Sequence, residues 1–129
     1  MIFLIRQKPQ NKKKESWEIS FKSFIESLLF FILPISKYKI FGHSMYPTFC
    51  EGDIVLINKL SFVFQKPRLK DIVAVKDPRD GKILIKRIAR IQDNQYFVEG
   101  DNKLHSTDSR EFGMLKKRDI VGKVIFVEI

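Results

Sequence analysis

The chain has one cysteine, Cys50, in 129 residues, so it has no internal disulfide framework. The same scarcity excludes a Cys-rich zinc site, and two histidines are too few to replace one. Six glycines and five prolines exclude collagen-like or low-complexity sequence. No uninterrupted apolar run reaches the ~20 residues of a spanning helix, and charged residues make up 30%, so a multi-spanning membrane protein is excluded. With 44% hydrophobic residues the chain is not wholly disordered and must hold together through its own core. Its length fits one ordinary domain, or one small domain with an anchor.

What the chain has in excess is positive charge, +9 overall. Residues 1–40 carry eight basic and three acidic side chains, and the basic ones are densest at Lys12–Lys14. That cluster precedes an aromatic and aliphatic stretch, which points to an anionic membrane surface and not to nucleic acid. Trp17–Ile35 has apolar residues at 17, 21, 24, 25, 28, 31, 32 and 35, the spacing of a helix. Lys22 and Glu26 interrupt it four residues apart, where they can pair. The spacing predicts a membrane-anchor helix over residues 17–37, behind a basic cytoplasmic N-terminus of residues 1–16. A helix lying in the membrane interface or packing on the domain is the alternative. The basic flank would hold the N-terminus in the cytoplasm and put the rest of the chain on the outer face. No small-x-small cleavage site follows the apolar run.

From Tyr38 the pattern changes to short β-prone runs between turn signals. Strands are predicted at Tyr38–Phe41, Asp53–Asn58, Asp71–Lys76, Lys82–Gln92, Tyr96–Glu99 and Ile120–Glu128. The turn signals include Glu51-Gly52-Asp53, Asp77-Pro78-Arg79-Asp80-Gly81 and Gly100-Asp101-Asn102. The expectation is a mostly β domain over residues 38–129. The apolar, aromatic segment Leu60–Gln65 reads as a loop, either ordinary core or an edge that dips into lipid.

Three segments carry chemistry: Gly42-His43-Ser44-Met45-Tyr46-Pro47-Thr48, Ile83-Leu84-Ile85-Lys86-Arg87-Ile88, and Gly100-Asp101-Asn102-Lys103-Leu104-His105-Ser106-Thr107-Asp108-Ser109-Arg110. In this order and spacing the chain resembles the type I signal peptidases, membrane-anchored Ser/Lys proteases. Its brevity is also similar to maturation proteases of nickel-type superoxide dismutase, which share the Ser-Thr-Asp-Ser-Arg-x-Phe-Gly run seen at Ser106–Gly113. The resemblance implies a small signal-peptidase or LexA-like β catalytic core. It implies Ser44 as nucleophile and Lys86 as general base.

A serine hydroxyl needs an adjacent base, and lysine serves only when neutral. Its pKa must therefore fall from about 10.4, which burial among apolar groups can bring about. On an extended strand Leu84, Lys86 and Ile88 share one face, and Arg87 points the other way, to solvent or a carboxylate. His43 adjoins Ser44, so in extended chain their side chains diverge, and it is not the base.

By the resemblance Ser106 would orient the Lys86 amine, and Asp108 with Arg110 would form a structural pair. Asn102 and Ser109 read as turn caps. The Ser44 backbone N–H would be an oxyanion donor. Some family members add a hydroxyl two residues earlier, where this chain has Gly42. The implied substrates are exported preproteins whose signal peptides carry small residues at −1 and −3. The implied surroundings are the plasma membrane, with no cofactor, no metal and no nucleic-acid partner. The rival readings are a maturation protease for one propeptide, a LexA-like self-cleaving regulator and an inactive membrane adaptor.

Overall fold

A computed structural model of the chain describes residues 20–25 and 34–125. It divides into two units, residues 1–33 and 34–129. In the first, residues 20–25 are helical and mostly exposed. The remainder of the expected anchor, residues 17–19 and 26–33, and the basic residues 1–16 lie outside the described residues. Among the described residues no helix is long and apolar enough to cross a membrane.

The second unit is an antiparallel sheet. Its strands are β1 (Ile35–Lys39), β2 (Ile54–Asn58), β3 (Ile72–Lys76), β4 (Ile83–Gln92), β5 (Gln95–Glu99), β6 (Leu115–Lys116) and β7 (Ile120–Ile125). They lie side by side in the order β1-β2-β7-β3-β4-β5-β6. Two single-turn helices, α1 (Ser61–Phe64) and α2 (Ser109–Phe112), and a 3₁₀ turn at Lys117–Asp119 complete it.

Five of the six expected strands occur within one residue of their predicted starts, because their β-branched runs meet partners along their whole length. The first does not. β1 begins at Ile35, so residues 35–37 are strand and not the end of a helix, as the 17–37 boundary had it. Pro34 cannot extend a helix from behind, and Ile35–Lys39 pairs residue for residue with Asn58–Ile54 of β2. Leu60–Gln65 is likewise not a loop throughout, since α1 forms there. Phe62 turns inward from α1 to the core, which gives that turn an anchor. The last three residues of the expected strand ending at Glu128 lie outside the described ones.

The hairpin between β4 and β5 turns on Asp93 and Asn94, both at positive φ (50° and 58°). That is the mirror-image two-residue turn whose twist matches the flanking strands, and Asp and Asn tolerate it best after glycine.

Apolar residues fill both faces of the sheet. On β3, Val73 and Val75 join one core cluster with Ile88, Val98, Tyr96 and Leu115. Ala74, between them, joins the other with Val55, Ile57, Ile85 and Phe49. Alternation along a strand separates the two faces. Because both are covered, β3 and the first half of β4 read as nearly unbroken apolar runs. Lys86 lies in the middle of one of them.

Candidate active site

Ser44 sits in a series of tight turns after β1. Tyr46 N donates to His43 O (3.1 Å) and Phe49 N to Met45 O (2.9 Å). The peptide between Tyr46 and Pro47 is cis. Met45 and Phe49 are buried in the first core cluster and pin the turn from below. Ser44, between buried and exposed neighbours, is half-buried. Gly42 has φ +75°, a left-handed conformation that a side chain would strain. Its N–H points at Glu51 Oε1 (3.5 Å), whereas no acceptor takes the Ser44 N–H among the described residues.

Lys86 is 3% exposed. It stands opposite Val73 of β3, on the strand face that it shares with Leu84 and Ile88. Burial disfavours the ammonium and lowers its pKa to about 8, with the nearby Asp108 carboxylate pulling it up and the Arg110 guanidinium pushing it down. Among the described residues its amine is in no ion pair.

The third segment meets both the serine turn and the strand that carries Lys86. Gly100 follows β5, whose Glu99 pairs with Arg87 beside Lys86. A β-carbon at Gly100 would meet the Ser44 carbonyl oxygen and Ser106 Oγ far inside contact distance, so only glycine lets the two loops close on each other here. Asn102 N donates to Ser44 O (2.9 Å) and Asn102 Nδ2 to His43 O (3.0 Å). Asn102 thus ties the serine turn to its own loop, a longer reach than a turn cap.

Asp108, fully buried, anchors the far end of that loop. It accepts from Gly100 N (3.0 Å), Ser106 Oγ (2.8 Å), Arg110 N (3.1 Å), and Arg110 Nε and Nη2 (both 2.9 Å). Burial alone would raise its pKa, but the Arg110 guanidinium and these other donors outweigh it and hold the carboxyl well below the usual range. Ser106 gives its proton to Asp108, which leaves its oxygen lone pairs as acceptors for a cation or an amine hydrogen. Ser109 is not a cap for its own turn. Its hydroxyl accepts from Val98 N (2.9 Å) and fastens α2 to β5.

Sequence reasoning passed over Asp101. Arg87 Nε and Nη2 bind its two carboxylate oxygens at 2.8 Å each, and Arg87 Nη1 also reaches Lys70 O (3.0 Å). Thr48 Oγ1 donates to the same carboxylate, and Asp101 N approaches Met45 Sδ (3.5 Å). One aspartate thus braces the serine turn against β4. The arginine after Lys86 and the Gly-Asp-Asn run were visible, but nothing in either named the other as partner.

A depression of about 400 Å³ beside the serine turn is lined by His43, Tyr46, Asn102 and His105. His43 Nε2 lies 3.8 Å from Glu51 Oε2. Among the described residues no three metal-ligating side chains cluster.

A hydroxyl and a buried lysine with a lowered pKa are groups that acyl transfer can use as nucleophile and base. Comparison with known proteins agrees with that chemistry. Residues 15–91 and 88–128 match the family described as signal peptidase, peptidase S26. The chain is 30% identical to signal peptidase I V of Bacillus subtilis, over 67% of this chain and 82% of the relative. It is 27% identical to signal peptidase I of Bacillus caldolyticus, over 95% and 93%. It is 33% identical to the mitochondrial ATP-independent inner membrane protease subunit 1a of Arabidopsis thaliana, over 70% and 68%. The chain belongs to the signal peptidase family, peptidase S26.

Proposed function

We propose that the chain is a signal peptidase I-like serine endopeptidase that removes signal peptides from exported preproteins with a Ser44–Lys86 dyad. Neutral Lys86 Nζ takes the Ser44 hydroxyl proton as Oγ attacks the scissile carbonyl carbon. The Ser44 N–H stabilises the oxyanion that forms. The protonated amine then gives its proton to the leaving amino group. An acyl-enzyme remains, and water, deprotonated by the same amine, hydrolyses it.

Ser106, with its proton committed to Asp108, would accept a hydrogen from Lys86 and aim the lone pair. Asp108 and Arg110 hold that loop. The substrate binds extended, with small residues at −1 and −3 entering shallow pockets. The enzyme acts at the plasma membrane, anchored by a single N-terminal helix with its N-terminus in the cytoplasm and the catalytic domain on the outer face.

The observation that carries this reading is a lysine 3% exposed among valine and isoleucine, with its pKa lowered to about 8. Solvated lysines have no reason to be there, since burying an ammonium is costly. The test is cleavage of an internally quenched signal-peptide substrate by the full chain, beside Ser44→Ala and Lys86→Ala. Wild type should cleave and both variants should be silent while folded. Turnover retained by either variant would overturn the dyad.

A further inference from the structure

The depression of about 400 Å³ beside the serine turn, lined by His43, Tyr46, Asn102 and His105, takes no part in the dyad chemistry. Its volume falls in the range of about 300–1,000 Å³ in which proteins hold small ligands, and it has room for one large side chain. The four lining residues belong to one hydrogen-bonded frame. His43 O accepts from Tyr46 N (3.1 Å) and from Asn102 Nδ2 (3.0 Å), and Asn102 O accepts from His105 N (3.0 Å). Asn102 N also donates to Ser44 O (2.9 Å), so the frame is fastened to the backbone of the nucleophile itself. The depression is therefore preformed, and its walls keep a fixed relation to Ser44.

Its chemistry is that of rings. Two imidazoles and a phenol make three of the four walls, and no carboxylate, lysine or arginine lines it. The Asn102 side-chain N–H₂ is already committed to His43 O. Tyr46 is 54% exposed, and His43 and His105 are exposed as well, so these rings offer surface that a partner can cover. An uncharged, ring-lined depression suits an aromatic side chain, which gains from ring contacts beyond the area it buries. Position decides which part of a substrate arrives there. β1 is an edge strand, paired by β2 on one side, and it leads into the serine turn. An acyl half extended beside β1 brings the scissile carbonyl to Ser44 and carries the following residues on to the depression. The loop from Asn102 to His105 also runs into Ser106, beside the lysine that protonates the departing amino group in the proposed dyad. We infer that His43, Tyr46, Asn102 and His105 form a subsite for an aromatic side chain within the first two residues after the scissile bond, the new N-terminus of the released protein. A peptidase that serves many exported proteins has to accept whatever residues begin them. A subsite that reads this position narrows the set of substrates. The inference rests on the peptidase reading and deepens it by assigning a preference to the departing half.

The experiment measures kcat/KM of the full chain on a series of peptides. All share one acyl half with small residues at −1 and −3. The two residues after the scissile bond are both alanine, or one of them is replaced by phenylalanine, aspartate or lysine. Wild type, His105→Ala and Tyr46→Ala are compared. Wild type should favour phenylalanine over alanine by about tenfold, the scale on which one filled apolar pocket discriminates, and aspartate and lysine should gain nothing. In both variants the phenylalanine-to-alanine ratio should fall towards unity. His105 lies on an exposed loop, so His105→Ala decides the matter if Tyr46→Ala fails to fold. A merely structural role would slow every peptide by the same factor and leave the ratio intact, and that result would overturn the inference. So would equal cleavage of the phenylalanine and alanine peptides by wild type, or an equal gain from aspartate or lysine. A changed preference at −1 or −3 in His105→Ala would overturn the placement on the departing half. Failure of wild type to cleave any peptide would strike the peptidase reading itself, and this inference with it.

Discussion

Gly100 and Ser44 meet backbone to backbone: a β-carbon on Gly100 would lie 2.5 Å from the Ser44 carbonyl oxygen and 2.2 Å from Ser106 Oγ. The serine turn and the loop carrying Ser106 and Asp108 can therefore approach as they do only because position 100 has no side chain. Gly100→Ala should force them apart, at a cost of about 1–3 kcal/mol by the usual scale of overpacking. An ångström of misplacement at a reacting group costs about 10²-fold in rate. We expect kcat/KM to fall by about that factor while the protein still folds, as followed by peptide cleavage and thermal melts. Unaltered kcat/KM would show that the contact does not position the serine.

Cleavage should rise with pH through an apparent pKa of about 8. The active form needs an uncharged Lys86, and burial lowers this amine to about 8. Below that value the amine is protonated and the rate falls tenfold per pH unit. A profile flat from pH 9 to pH 6 would contradict a lysine base (the range brackets the expected pKa).

The neighbours of Lys86 set the direction in which that midpoint moves. Asp108 raises the amine's pKa, so Asp108→Asn should shift the profile to lower pH. Arg110 lowers it, so Arg110→Gln should shift the profile upward. Asp108→Asn also breaks a fully buried, hydrogen-bonded charge pair, and we expect about 2–4 kcal/mol of lost stability, since Arg110 keeps partial access to water. Shifts of the same sign in both variants would rule out an electrostatic origin.

Lys86→Met should abolish cleavage, by about 10⁴-fold or more, yet stabilise the fold. The wild-type lysine has a pKa lower in the folded than in the unfolded chain, so the unfolded state binds more protons and folding is penalised while the amine is charged. The penalty is full below pH about 8 and disappears as pH rises towards the unfolded value near 10.4. The gain in Lys86→Met should thus be about 2–3 kcal/mol at neutral pH and shrink as pH rises, read by denaturant titrations at several pH values. A gain independent of pH would mean that the ammonium bears no burial cost.

Arg87→Lys keeps the charge but cannot span both oxygens of Asp101. We expect about 1–2 kcal/mol of lost stability and a lower kcat, because Asp101 also holds Thr48 of the serine turn. Wild-type kcat in Arg87→Lys would reduce the pair to a surface contact.

The β-rich frame was legible because period-two runs and turn residues are local signals. Asp53–Asn58, Asp71–Lys76 and Lys82–Gln92 each announced a strand without reference to anything else. β6, two residues long, has no period to read, and it forms only because Leu115 and Lys116 meet Tyr96 and Gln95. α1 was hidden for a similar reason, since one turn is too short for a helical repeat and depends on Phe62 finding the core.

By itself the sequence determined which groups were available: one hydroxyl at 44, one lysine in an apolar strand at 86, and an aspartate–arginine run at 108–110. Only the folded chain decided that Lys86 loses nearly all contact with water, because Val73 stands opposite it and both faces of the sheet are covered. Desolvation depends on atoms brought from distant parts of the chain, and those have no trace in the spacing around the lysine. The same holds for Asp101, whose grip on Arg87 and Thr48 exists only where three remote segments cross.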